Sequence, residues 1–406
     1  MVERFEKVKV MRDPIHGYIH LELRLIRDLI DTFEFQRLRR IHQLGGTYLV
    51  YHTAEHSRFA HSLGVYEIVR RMVSEVEDIN KSLSEFDKIS VMCAALLHDI
   101  GHGPFSHAFE FISNTRHEEY TVRMILEDTE INRILRNVDE NLPTAIASII
   151  NHTHPNKLLI QMVSSQLDAD RMDYLLRDSY FTGTSYGHFD LERILRTLRV
   201  VDGMLVVKES GIHTVEDYIM SRYHMYWQVY FHPKSRAYES LISALFKRLR
   251  YLFKTEPEKV EVYSMFTRFI NGSNVDVPSY LQMDESAAFY GITLMKNSDD
   301  CILSDLARRV LVRDIFAIGT YKIDEEADEV REAVIKAGYD PNYYFYLDET
   351  RQVPYLPYAT AQSDTITVLK EDGTCEELSK VSNIVAAIVK GEVKGEKHVF
   401  FPKGIR

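Results

Sequence analysis

Cysteine is scarce in this sequence. Of 406 residues only three are cysteine, Cys93, Cys301 and Cys375, and they stand far apart. That spacing excludes a disulfide framework and a C-x-x-C metal pair, and it fits a reducing compartment. With 18 glycines and 11 prolines, the chain has too few of either for a fibrous or linker-rich protein. Positive charge is in deficit: 49 Lys and Arg face 60 Asp and Glu, a formal net charge of -11. The deficit counts against unspecific binding to nucleic acid or to an anionic membrane, since both depend on excess Lys and Arg. Long apolar runs are missing too. The longest, Val91 to Leu97, is far short of a bilayer span, and Met1-Val2-Glu3-Arg4-Phe5 has no apolar signal region. The expectation is a soluble, cytoplasmic protein without membrane or nucleic-acid partners, long enough to bury a deep core.

What is present is histidine. Eight of the 17 (His42, His52, His56, His61, His98, His102, His107 and His117) fall between residues 42 and 117, where even spreading would put about three.

Apolar spacing predicts a mainly α protein. Phe59, Leu63, Tyr66, Val69, Val73 and Val76 recur at steps of three or four, the mark of a helix over 58–77. Residues 88–99 are apolar nearly all round, so that helix is expected at the centre, ending at Gly101, Gly103 and Pro104. Further helices are expected over 119–137, 143–151, 157–180, 190–199, 214–230 and 236–254, with Pro143 and Pro233 as boundaries. Arg199 to Val207 reads as a hairpin turning at Asp202-Gly203. After about residue 320 the texture changes: Tyr343 to Leu347, Thr365 to Leu369 and Val399 to Phe401 read as strands, Asp372-Gly373 as a turn, and 379–389 as a helix. The expected organisation is a helical domain over 1–320 and a small α/β region over 321–406.

Three elements carry polar groups where apolar ones belong. His61 shares a stripe with Val65, Ile68 and Met72; His98-Asp99 follows seven apolar residues; Asp170 falls on the stripe Val163, Leu167, Asp170, Tyr174 of the helix expected over 157–180. A buried, unpaired carboxylate is costly, so something must compensate it. Three separately satisfied core residues are the competing reading; one shared metal ion compensates all of them together. Two imidazoles and two carboxylates suit Fe, Mn, Ni, Co or Zn, whereas Mg²⁺ prefers oxygen, and without cysteine ligands a closed structural zinc site is not expected. The stretch from Gly101 to Glu110 adds His102, His107 and Glu110, and His117-Glu118 follows. Imidazoles near a metal-bound water can donate a proton to a leaving oxygen, and a carboxylate can orient them. Phosphate needs positive charge, which Arg58 and Arg171 can supply beside the metal.

The surrounding text is more specific: Asp13-Pro14-Ile15-His16-Gly17, Phe35-Gln36-Arg37-Leu38-Arg39, His42-Gln43-Leu44-Gly45-Gly46, Arg58-Phe59-Ala60-His61-Ser62-Leu63-Gly64, Leu97-His98-Asp99-Ile100-Gly101-His102-Gly103-Pro104, Asp168-Ala169-Asp170-Arg171-Met172-Asp173-Tyr174 and Arg177-Asp178. It resembles the deoxynucleoside triphosphate triphosphohydrolase branch of the HD-domain metal-dependent phosphohydrolases, from about Lys9 to Asp178 and more patchily to about Phe316. No SAM domain precedes it, so the bacterial type is the expected match. The resemblance implies an HD-domain helical core that hydrolyses a dNTP to a deoxynucleoside and inorganic triphosphate by attack at the α-phosphorus. It makes His61, His98, Asp99 and Asp170 the metal ligands, with Mg²⁺ accompanying the nucleotide. His102 and His117 take proton-transfer or leaving-group roles and Glu110 orients a histidine. His107 contacts phosphate, Arg58 holds the α-phosphate, and Arg171 replaces a phosphate-binding Lys. Gln43, Tyr174, Asp178 and Tyr238 surround the sugar and triphosphate; a tyrosine under the sugar ring can exclude a 2′-hydroxyl. The resemblance also implies a homotetramer activated by guanine nucleotide, dGTP or GTP, with Lys9, Val10, Asp31, Gln36, Arg39 and Arg313 at regulatory positions. Two places depart from the pattern: Arg12 stands where the mammalian enzyme has Asn, and Tyr230-Phe231-His232-Pro233-Lys234 lacks the expected Arg.

Other classes fit less well. A phosphodiesterase or nucleotidase of the same superfamily leaves Gln43, Tyr174 and Tyr238 without partners. A non-enzymatic nucleotide-binding regulator would not need an intact ligand set. A nuclease is disfavoured by the net charge.

Overall fold

The computed structural model describes residues 2–105, 109–110, 116–270, 275–350, 355, 365–391 and 395–405. The chain opens with an antiparallel hairpin, β1 (Arg4–Asp13) and β2 (Gly17–Leu23), turning at Gly17. Helix α1 (Arg58–Glu75) follows the expected stripe and buries Val65, Tyr66, Ile68, Val69 and Met72 completely. Helix α2 (Glu85–Leu97) is the central one. A capping box between Ser84 and Asp87 starts it, and Ser90 to Leu97 are all buried. It packs on α1 and on α4 (Leu142–Ile150) and α5 (Lys157–Val163), while α1 also packs on α6 (Ala169–Thr182).

Side-chain caps break two of the expected long helices, because each supplies a backbone donor with a partner outside the helix. The run over 119–137 divides into α3 (His117–Leu126) and a helix over Glu130–Val138, where the Thr129 hydroxyl accepts from the amide of Asn132. The run over 157–180 divides at 164–168, where Asp168 accepts from the amides of Ser165 (2.6 Å) and Arg171 (2.7 Å). Asp170 therefore lies in the first turn of α6, not on a continuous stripe with Val163 and Leu167.

Helix α7 (Ile212–Met225) runs into a π-helical turn over Tyr226–Tyr230 before α8 (Pro233–Thr255). The hairpin of β3 (Leu198–Val201) and β4 (Met204–Lys208) turns at Asp202-Gly203, both with positive φ as a type I′ turn requires. Towards the C-terminus, Tyr343 and Tyr344 end a helical turn over Pro341–Tyr344, which Pro341 and the Asp340 side chain start, and the strand begins two residues later. The helix expected over 379–389 is two, Leu378–Val381 and Asn383–Lys390, parted by the Ser382 cap. Strands β5 (Ala317–Thr320), β6 (Tyr346–Thr350), β7 (Thr367–Leu369), β8 (Cys375–Glu377) and β9 (Glu396–Phe401) complete two small sheets. One runs β3-β4-β7-β8 and the other β5-β9-β6. The protein is mainly α, and no described helix is long and apolar enough to cross a membrane.

Candidate active site

The fold brings the three polar elements to one point. His61 projects from the buried face of α1, His98 and Asp99 follow directly on α2, and Asp170 is offered by the capped first turn of α6. His61 Nε2 lies 3.1 Å from Asp170 Oδ1 and 4.0 Å from Asp99 Oδ2, while His98 Nε2 lies 3.4 Å from Asp99 Oδ1 and 3.8 Å from Asp170 Oδ1. The buried His98 Nε2 has no hydrogen-bond partner among the described residues. Four side chains with donor atoms this close, and an orphaned imidazole nitrogen among them, fit the edges of a coordination shell of bonds roughly 2.0–2.2 Å long.

The other nitrogen of each imidazole is already occupied. His61 Nδ1 is 2.8 Å from Asp173 Oδ2, and His98 Nδ1 is 2.9 Å from the Ala95 carbonyl. Both oxygens can only accept, so Nδ1 carries a proton and Nε2 is the nitrogen left to face the centre. Asp173 is itself held by Arg177 Nε (2.8 Å) and Nη2 (2.9 Å) and by His16 Nε2 (2.7 Å), and Arg177 Nη1 reaches Asp13 Oδ2 at 2.9 Å. Burial would raise the Asp173 carboxyl, but the Arg177 charge and these hydrogen bonds hold it well below the usual carboxylate range. Gly64 makes room for this network: a Cβ there would stand 1.8 Å from Asp173 Oδ1 and 2.5 Å from Arg177 Nη2. Asp13, His16, Asp173 and Arg177 stand in the motif text, but their spacing in sequence gives no sign of this supporting role.

Burial would also lower the His61 imidazole, yet Asp170 and Asp173 raise it to about 10. Asp99 is held well below the usual carboxylate range against its burial, by its neighbours His98, His102 and Arg58. The described groups able to hold a metal ion include His61, His98 and Asp99.

Beside this centre the rings of His102 and His117 stack at 3.6 Å. His102 Nε2 is 3.4 Å from Asp99 Oδ1, and Glu110 Oε1 is 2.6 Å from His117 Nδ1. Burial, aided by the Arg58 charge, holds the His102 imidazole well below its ordinary value, so the ring is neutral. Gly101 permits the stacking, since a Cβ there would lie 2.1 Å from the His117 carbonyl. Arg58 Nη1 donates to Asp99 Oδ2 at 2.5 Å, and Arg171 is paired with Asp168. His107 lies outside the described residues.

Asp178 accepts from His56 Nε2 and from the Tyr230 hydroxyl, each at 2.8 Å, and the Tyr174 ring meets Tyr230 edge-on at 6.0 Å. The tyrosine joined to Asp178 and Tyr174 is therefore Tyr230, brought there by the π-helical turn. Tyr238 packs instead on Gly46, where a Cβ would stand 2.2 Å from its ring. Its buried hydroxyl and the buried Gln43 Oε1 have no partner among the described residues. Arg222 stands outside every motif of the sequence. Its Nε is buried and has no partner among the described residues, and its charge acts on Tyr174 and Tyr218. A basic group thus stands beside Tyr174 although 230–234 contains no arginine; its position on α7 before an irregular turn hides it from motif spacing.

Of the expected regulatory residues, Gln36 Oε1 accepts from Arg39 Nε at 2.8 Å, and Gln36 Nε2 donates to the Ile30 carbonyl next to Asp31. Arg39 covers the Phe59 ring at 3.5 Å, and Asp31 accepts from Arg27 at 2.6 Å. Lys9 lies over Phe5, Val10 is half exposed on β1, and Arg313, with φ of 56°, donates to the Leu49 carbonyl at 2.6 Å. Among the described residues no hydrogen bond or ion pair joins Lys9, Val10 or Arg313 to the Asp31–Arg39 cluster.

Residues 58–178 match the HD domain model and 189–265 the HD associated region. The chain is 44% identical to protein YwfO of Bacillus subtilis, over 99% of this chain and 94% of that protein. It is 33% identical to the deoxynucleoside triphosphate triphosphohydrolase SAMHD1 of Mus musculus, over 60% of this chain and 43% of that protein. Among solved structures, a phosphohydrolase from Bacteroides thetaiotaomicron superposes with a TM-score of 0.84 at 28% identity, covering 98% of this chain and 100% of that one.

Proposed function

The chain belongs to the HD-domain family that includes the deoxynucleoside triphosphate triphosphohydrolases, and from that premise we propose that it hydrolyses a dNTP to a deoxynucleoside and inorganic triphosphate. The observation that carries the reading is the neighbourhood of the metal pocket: the neutral His102 imidazole and the Arg58 guanidinium both border Asp99, and the carboxylate-linked His117 imidazole stacks on His102.

His61, His98, Asp99 and Asp170 hold a divalent transition ion (Fe, Mn, Ni, Co or Zn), and Mg²⁺ enters with the nucleotide. When bound, the ion lowers the pKa of water and neutralises phosphate oxygens. Neutral His102 accepts the proton of the attacking water as its oxygen bonds to the α-phosphorus. His117, oriented by Glu110, gives a proton to the 5′-oxygen as the P–O5′ bond breaks. Arg58, Arg171 and Arg222 carry the phosphate charge, with His107 a further phosphate contact. Asp178, placed by His56 and Tyr230, reads the sugar with Tyr174, and Gln43 Oε1 and the Tyr238 hydroxyl offer the ligand their unpartnered atoms. In solution the protein is a cytoplasmic homotetramer activated by dGTP or GTP, with Asp31, Gln36 and Arg39 reading the guanine edge and Lys9, Val10 and Arg313 completing the site.

Anion-exchange product analysis tests the reading: purified protein with Mg²⁺ or Mn²⁺ and each dNTP, alone and with dGTP or GTP. Deoxynucleoside plus triphosphate is expected, with a lag relieved by guanine nucleotide. Monophosphate plus pyrophosphate, or no turnover with any metal and activator, would move the assignment to another HD phosphohydrolase or to a nucleotide-binding regulator.

A further inference from the structure

The guanidinium of Arg37 is wholly buried, yet among the described residues it is bonded to no carboxylate. Its donors go to main-chain carbonyls of two separate segments. Nε and Nη2 donate to Met283 at 3.0 and 2.7 Å, Nη1 to Ile100 at 3.3 Å, and Nη2 also to His102 at 2.8 Å. The Tyr280 ring lies 5.3 Å away, and its hydroxyl donates to the Gly101 carbonyl at 2.6 Å. The three consecutive carbonyls of Ile100, Gly101 and His102 thus accept from side chains that stand behind the site rather than in it.

A charge in a dry core is costly, and an apolar side chain of the same volume would often be the more stable choice. What the guanidinium supplies is direction. Its planar fork fixes several acceptors at once, which a flexible ammonium cannot do. The Ile100–His102 turn lies between α2 and α3; its amides bond to Leu97, Thr121 and Asp99, and its three carbonyls, outside any helix or sheet ladder, are left to the Arg37 and Tyr280 side chains. The His102 ring, stacked on His117 and facing Asp99, inherits its place from that backbone.

We propose that Arg37 is a positioning residue: it sets the Ile100–His102 turn, and so the His102 ring, and it is the link through which the Gln36–Arg39 segment bears on the site. The catalytic meaning of this link rests on the proposed function. Its mechanical meaning does not.

The test uses full-length Arg37→Lys and Arg37→Gln, each compared with wild type in metal content, dNTP turnover and hydrogen exchange. Arg309→Gln, at a buried arginine bonded to Asp305 and Asp314, serves as the control for loss of any buried guanidinium. Both Arg37 variants should keep wild-type metal stoichiometry and a KM within about twofold, while kcat falls about tenfold or more, as expected for a misplaced group. Amides of residues 98–105 should exchange faster while those of α1 do not, and Arg309→Gln should change neither. If the glutamine variant does not fold, the lysine variant decides. Unchanged kcat per metal-loaded enzyme, or unchanged exchange at 98–105, would overturn the inference. If wild type turns over no dNTP, the proposed function fails, and the exchange measurement still decides whether Arg37 holds the turn.

Discussion

His61 gives its Nδ1 to Asp173 at 2.8 Å, and Nε2 is thereby committed to the point where Asp99, Asp170 and His98 converge. Removing a ligand and removing its support should therefore differ in degree. Asp170→Asn should abolish stoichiometric metal and activity together, whereas Asp173→Asn should weaken metal affinity by about 10- to 100-fold. Metal content after dialysis against graded chelator separates the two. Full metal and activity in Asp170→Asn would sink the ligand assignment.

Gly64 is the closest steric constraint on that support. Gly64→Ala should cost about 1–3 kcal/mol from overpacking and should weaken metal binding as well, because the displaced atoms are those of Asp173 and Arg177. Thermal unfolding with and without added Mn²⁺ should show a smaller metal-induced rise in Tm than wild type.

The pairing of His42 predicts a pH dependence of stability. Burial alone would lower its imidazole, but hydrogen bonds with Glu285 and Glu55 raise it from 6.5 to about 9. A folded pKa above the unfolded one means the contribution is complete below pH 6.5 and lost as pH rises through about 9. The Tm gap between wild type and His42→Gln should be widest near pH 6 and should close by about pH 9.5. A gap independent of pH would show that the imidazolium pairs contribute nothing.

Tyr230 donates to Asp178. Tyr230→Phe should raise KM for the dNTP about tenfold, the scale of one hydrogen bond to a charged group, with the fold intact by circular dichroism. An unchanged KM would remove Tyr230 from the substrate site.

Arg39 is tied to Gln36 and Phe59 and touches no metal ligand. Arg39→Ala should leave metal content at the wild-type level and shift the GTP concentration needed for half-activation upward. Unchanged nucleotide dependence would count against a regulatory site at that cluster.

Much of this was legible in the sequence because it depends on local pattern. The stripe through Val65, Ile68 and Met72 identifies the buried face of α1 and puts His61 on it, and the apolar run before His98-Asp99 identifies a central helix. Asp170 was expected from a stripe that the structure interrupts at Asp168. It reaches the metal pocket all the same, because the Asp168 cap starts a new helix whose first turn carries Asp170 to His61.

Composition, helical period and motif order therefore determined by themselves a mainly α protein with a mixed imidazole and carboxylate centre, since both follow from which residue types sit three or four positions apart. Tertiary structure alone decided what stands behind and around that centre. Asp173 under His61, Arg37 beneath the Ile100–His102 turn, Tyr230 on Asp178 and Arg222 beside Tyr174 join residues whose meeting depends on helix packing, a cap and a π-helical turn. No spacing along the chain encodes those meetings, because they are set by how the helices close on one another.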